Sequence, residues 1–181
     1  MIPVKALASL WFLTFGHGSA FMTEGHLLGH LLTQDDGSLM KRVLVATDGS
    51  DGANRAVDAA AELAKVTGSE LVIVTIGGEI TGAELRRLAG TGGDLSKTLE
   101  AKADQVLRQA ARRARRAGVT APILRCGWGD PADTILDIVQ REKAGVVVVG
   151  RRGRSRLSQM LLGSVSQKVA SLAPCTVVMV P

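Results

Sequence analysis

The stretch Val146-Val147-Val148-Val149-Gly150-Arg151-Arg152-Gly153, taken up again at Gly163-Ser164-Val165-Ser166, decides how this chain folds. Four consecutive valines are too few for an ordinary helix and too apolar for a surface loop. They read as a strand buried on both faces, which is the habit of a parallel sheet. The Gly-x-x-Gly turn at its end lets backbone approach a ligand, since glycine lacks a Cβ and tolerates positive φ. After nine intervening residues beyond Gly153, Gly163-Ser164 opens a segment with Val165, Val169 and Leu172 at helical spacing. A helix N-terminus offers N–H groups and the positive end of a dipole, which suits phosphate. Strand, glycine turn, polar loop and helix start together predict a phosphate cradle.

Working outward, the same unit recurs. Lys41-Arg42-Val43-Leu44-Val45-Ala46-Thr47 reads as strand one, closed by the turn Asp48-Gly49-Ser50. Ser50 or Asp51 can cap the helix whose apolar positions are Ala53, Ala56, Val57, Ala60, Leu63 and Ala64. Thr67-Gly68-Ser69 stops it, and residues 71–76 form strand two. Residues 77–94 hold six glycines and read as a mobile loop near the end of strand two, in the position of a lid. A long helix starts at Leu95 with Leu99, Ala103, Val106, Ala110 and Ala114 on its inner face. Residues 122–125 read as a short strand three, and Gly127-Trp128-Gly129-Asp130-Pro131 as a loop. Asp130 is its N-cap and Pro131 the first residue of helix three, lined by Ile135, Ile138 and Val139. Strand four (residues 145–149), helix four and strand five (residues 175–180) follow. The alternation β-α-β-α-β-α-β-α-β calls for an α/β domain, a parallel sheet with helices on both faces. In such sheets ligands bind beyond the C-terminal strand ends where the strand order reverses. With strands one and four adjacent there, Ala46-Thr47-Asp48 would face residues 150–153.

Residues 1–39 differ from the rest. Trp11, Phe12, Phe15 and Phe21 leave only Trp128 as an aromatic elsewhere, and His17, His26 and His30 are the only histidines. Lys5, the apolar run that follows and Gly18-Ser19-Ala20 resemble a weak secretory signal. The reading preferred here is a poorly ordered extension, or upstream sequence before a true start at Met40, with residues 40–181 as the domain. His26 and His30 share a helical spacing but lack a third ligand, so local packing is the better account. The net charge of +5 divides as −2 before residue 40 and +7 after it, which favours an anionic ligand without singling out nucleic acid. Cys126 and Cys175 have no metal or redox spacing and fit a reducing compartment. No apolar run reaches the roughly 18–20 residues of a membrane span.

Several chemistries drop out. There is no GxxxxGK[ST], no GxGxxG after strand one and no GxSxG elbow, and the body has no histidine for a hydrolase triad. Arg108, Arg112, Arg113, Arg115 and Arg116 share a helix face, but without interleaved aromatics they read as a solvated surface, not a nucleic-acid site.

Residues 40–181 resemble the universal stress protein family, in its ATP-binding branch. The resemblance rests on Val43-Leu44-Val45-Ala46-Thr47-Asp48-Gly49-Ser50, on Gly150-x2-Gly153-x9-Gly163-Ser164, and on Cys175-Thr176-Val177-Val178-Met179-Val180. It implies a five-stranded parallel sheet of order 3-2-1-4-5, the fold shared with the adenine nucleotide alpha hydrolases, and ATP in the crevice between strands one and four. Ala46, Thr47 and Asp48 would border the adenosine, with Ile76 beside the base, although the glycine-rich Ile76-Gly77-Gly78 departs from the pattern. Gly150, Arg151 and Gly153 would lie along ribose and phosphates, and one or two of Arg151, Arg152, Arg154 and Arg156 on this loop would contact the anion. Gly163, Ser164, Val165 and Ser166 would give N–H and hydroxyl groups to the phosphates. Similar proteins often hold Mg²⁺ or Mn²⁺ there, but no residue here declares itself a metal ligand. The resemblance further implies a cytoplasmic stress-response regulator and a homodimer through residues 175–180. With no evident general base, binding that orders residues 77–94 is expected over turnover. A slow ATPase or nucleotidyl transferase of the same fold is the alternative.

Overall fold

The predicted alternation is realised element by element. The computed structural model describes residues 11–12, 41–78, 95–153 and 162–181. Its main strands are β1 (Arg42–Ala46), β2 (Glu70–Gly77), β3 (Ile123–Trp128), β4 (Val146–Gly150) and β5 (Thr176–Val180). Between them run α1 (Asp51–Thr67), α2 (Leu95–Arg116), α3 (Pro131–Arg141) and α4 (Ser164–Leu172). The five strands are parallel in the order β3-β2-β1-β4-β5. A sixth, two-residue strand, Trp11–Phe12, runs antiparallel along the outer edge of β5. The histidines, the loop beyond Gly78, and Arg154 and Arg156 lie outside the described residues.

Alternate residues of the strands feed two cores. Val43, Val45, Leu71, Ile73, Val146 and Val148 pack against α1 and α2. Leu44, Val72, Val74, Val147 and Val149 pack against α3 and α4. Burial on both faces is why β1, β2 and β4 lack the polar alternation of a half-exposed strand. Below the sheet, Arg42 Nε donates to Glu70 at 2.8 Å and its Nη1 to Glu142 at 3.0 Å, while Arg125 Nε donates to Glu142 at 2.6 Å. That chain ties the starts of β1 and β2, and the middle of β3, to the end of α3, so the opposite rim is free to carry the site.

Three local expectations are corrected. β3 extends to Trp128, because its ladder with β2 continues to the pair Gly77–Trp128; Gly127 sits inside the strand and Gly129 follows it. On α2 the buried stripe runs through Ala103, Leu107, Ala110, Ala111 and Ala114, while Val106 is half-buried against Gly49. On α4 the stripe runs through Ser166 and Val169 and leaves Leu172 exposed, because the Ser166 hydroxyl is anchored on the Gly150 carbonyl. Among the described residues no helix is long and apolar enough to cross a membrane.

Both cysteines are free, Cys126 exposed on the β3 edge and Cys175 half-buried before β5. Burial pushes the Cys175 thiol up to about 11. A raised thiol pKa means the folded chain resists ionisation there. The stability it contributes is complete below the unfolded thiol's pKa, roughly 8.5, and is lost as pH rises towards 11. At pH 8 iodoacetamide should therefore alkylate Cys126 at least about ten-fold faster than Cys175; equal rates by peptide mass spectrometry would contradict this packing.

Candidate functional site

Every β-to-α connection of a parallel sheet lies on the same rim, and here three helix starts meet around one cleft of about 240 Å³. That volume is near the lower end of small-molecule sites, roughly 300–1,000 Å³. The walls come from the ends of β1, β2 and β4 and from the first turns of α1, α3 and α4.

The β1 wall is set by short hydrogen bonds. Thr47 N–H donates to Val74 O at 2.8 Å, and the buried Thr75 hydroxyl donates to Thr47 O at 2.8 Å, fixing the end of β1 against β2. Asp48 Oδ1 accepts the Ser50 N–H at 2.9 Å, an Asx turn that swings the chain into α1. The other carboxylate oxygen, Oδ2, faces the β4 wall, where a Cβ on Gly153 would stand 2.7 Å from it. Asp48 thus shapes its own turn while its second carboxylate oxygen faces the β4 wall.

The β4 wall is held by backbone. Arg151 N–H donates to Val180 O at 2.6 Å, and Gly163 N–H donates to Arg151 O at 2.9 Å, which brings the start of α4 back to the strand end it left. A Cβ on Gly150 would lie 2.8 Å from the Gly52 carbonyl carbon and 3.0 Å from Ala53 N, so the first turn of α1 rests directly on this strand end.

The three helix starts differ in one respect. Ser50 caps α1 by accepting from Ala53 N–H at 3.3 Å, and Asp51 lies in that first turn. Asp130 caps α3 by accepting from Asp133 N–H at 3.0 Å, which pulls the Asp130 carboxyl below its usual range. α4 begins at Gly163 with no side-chain cap and no acidic residue in its first turn. The first N–H groups of a helix have no carbonyl within it, so those of Ser164, Val165 and Ser166 are offered outward. Lys168, one turn along α4, pairs with Asp133 at 2.7 Å and Asp130 at 3.3 Å and so ties α4 to the start of α3; these contacts raise the lysine's pKa.

Ten of the eleven expected residues line the cleft: Ala46, Thr47, Asp48, Ile76, Gly150, Gly153, Gly163, Ser164, Val165 and Ser166. Arg151 does not; its neighbour Arg152 takes that place, because Arg151's backbone is turned into the bonds with Val180 and Gly163. Ser166 is buried, and its hydroxyl proton goes to Gly150 O at 2.7 Å, leaving its N–H as the donor for a ligand. Ala53, Val74, Pro131, Ile135 and Val149 also line the cleft and were not anticipated. Among the described residues no group of three His, Cys, Asp or Glu side chains could hold a metal ion.

On the α2 face, Arg108 pairs with Asp104 and Arg113 with Asp58, so part of the arginine cluster is tied up within the domain.

Comparisons with known proteins agree with this fold. The profile of the universal stress protein family matches residues 40–181. Universal stress protein YxiE of Bacillus subtilis is 34% identical over 148 residues, covering 78% of this chain and 99% of that protein. A universal stress protein crystallised in complex with cAMP is 32% identical, with a TM-score of 0.57 over 78% of this chain and 96% of that one. UspA from Lactobacillus plantarum, at 23% identity and a TM-score of 0.65, shares the fold over 78% of this chain and 98% of its own.

Gly150→Ala tests the closest contact. The added methyl meets backbone, which cannot swing aside, so a loss of about 1–3 kcal/mol is expected in urea unfolding. Gly163→Ala, whose Cβ would meet nothing nearer than 3.5 Å, should unfold within about 0.5 kcal/mol of wild type. Equal losses at the two positions would contradict the packing of α1 on β4.

Proposed function

This chain belongs to the universal stress protein family, and from that premise we propose that it binds an adenine nucleotide, ATP above others, and acts as a cytoplasmic stress-response regulator by holding the ligand. The observation that carries the reading is the uncapped start of α4 beside two helix starts that are capped. A phosphate is the acceptor those N–H groups lack. Ala46, Val74, Ile76, Pro131, Ile135 and Val149 form an apolar end of the cleft that suits a base. Asp48 lies between the two ends, placed to accept from ribose hydroxyls. Gly153 and Gly163 keep the phosphate end open. Mg²⁺ or Mn²⁺ would enter with the phosphates, which supply most of its ligands.

Holding is favoured over turnover. Asp48 is the one carboxylate among the described lining residues, and one of its oxygens is engaged in the turn. A slow ATPase or nucleotidyl transferase would need a base or a second carboxylate that these residues do not offer. A second reading is a cyclic nucleotide, as in the relative crystallised with cAMP. It is favoured by the single cationic side chain, Arg152, among those lining residues, which suits a singly charged phosphate.

Mass spectrometry of the purified protein should find a co-purifying adenine nucleotide. Calorimetry with ATP–Mg²⁺, AMP and cAMP then ranks the ligands, and Gly163→Val should weaken the preferred one at least about ten-fold, or 1.4 kcal/mol. If no nucleotide binds wild type at millimolar concentration, the reading fails; if cAMP binds far more tightly than ATP, the second reading replaces the first.

A further inference from the structure

The two edges of the parallel sheet carry opposite chemistry. β3 is guarded: Arg125, Cys126 and Trp128 are exposed on it, and a charged side chain on an edge discourages pairing with another strand. β5 reads Thr-Val-Val-Met-Val, and Val177, Val178, Met179 and Val180 are only 2–8% exposed. Val177 and Met179 enter one core, Val178 and Val180 the other, so this edge strand is buried like an interior one. A flat, uncharged edge presents a row of N–H and C=O groups that templates strand addition.

A segment of the same chain stands against that row. Trp11 pairs with Met179 and Phe12 with Val178, antiparallel. The segment is additional to the domain, since the family profile begins at residue 40 and YxiE is matched over 99% of its length by 78% of this chain. We propose that Trp11–Phe12 is an edge cap, a strand added in cis that shields β5 and withholds it from a second copy of the chain. The homodimer that the family resemblance implies would use residues 175–180, and the outward-facing N–H and C=O of Met179 cannot pair with both partners; those of Thr176 and Val180, and by alternation Val178, face β4. Tethering decides between them. A partner on the same chain acts at an effective concentration of roughly millimolar, so at micromolar protein the segment in cis wins.

The test uses the full chain, wild type and a Trp11→Pro/Phe12→Pro double variant, because proline has no N–H to give a ladder. Both sites lie outside the matched domain, and nucleotide binding, measured alongside, should be unchanged. A failure here is thereby kept apart from a failure of the nucleotide reading. At low micromolar concentration the wild type should sediment as a monomer, and amide exchange of Met179, whose N–H faces the edge, should be at least ten-fold slower than in the variant at a concentration where both are monomeric. Faster exchange in the variant supports the cap, and a dimer that grows with variant concentration identifies the second copy as the competing occupant. Unchanged exchange at Met179, or a wild-type dimer paired through β5, overturns it.

Discussion

The contact on which the site depends is backbone against backbone, Gly52 of α1 on Gly150 of β4. A side chain at Gly150 would stand 2.8 Å from the Gly52 carbonyl carbon, and one at Gly52 would stand 2.9 Å from Arg152 O. With neither present, the first turn of α1 lies across the end of β4. β1 and β4 are already neighbours through the pairs Val43–Val146, Leu44–Val147 and Val45–Val148. This approach narrows the crevice above them until Asp48 faces Gly153 directly. Polar side chains alone would not set that distance, because each could rotate; two missing Cβ atoms fix it.

The electrostatics follow from the same arrangement. A parallel sheet sends all its helix starts to one rim, and each brings unpaired N–H groups. α1 and α3 each satisfy one of theirs with a side-chain cap, Ser50 and Asp130. α4 is left open, held in place by Gly163 N–H on Arg151 O, the Ser166 hydroxyl on Gly150 O, and Lys168 on Asp130 and Asp133. The exposed Lys168 pairs are the weaker tether, since surface ion pairs contribute about 0–1 kcal/mol. The buried serine bond and the core contact of Val169 supply the rigidity.

Much of this was legible in the residues. Valine runs separated by helical periods gave the α/β class, and the spacing Gly150-x2-Gly153-x9-Gly163-Ser164 marked the open helix start. What escaped depended on parity and on neighbours. Choosing Arg151 over Arg152 requires knowing which backbone groups the turn consumes. Val74, Val149, Pro131 and Ile135 reach the cleft from neighbouring strands and from α3, and one strand's sequence does not show what its neighbour presents. Pro131 did leave a signal, because Asp130-Pro131 marks a helix start and every such start shares the rim. Gly127 misled: it reads as loop, yet it pairs with Ile76 inside β3, and it is glycine there because a Cβ would meet the Thr134 methyl at 2.3 Å.

The central claim is that the open start of α4 receives a nucleotide's phosphate, and amide chemical shifts report on it most directly. With ¹⁵N-labelled protein titrated with ATP–Mg²⁺, the N–H resonances of Ser164, Val165 and Ser166 should move furthest downfield and saturate together. Those of Ala53 and Asp133, already bonded to Ser50 and Asp130, should move little. Saturable binding with the three α4 amides unmoved would contradict the account.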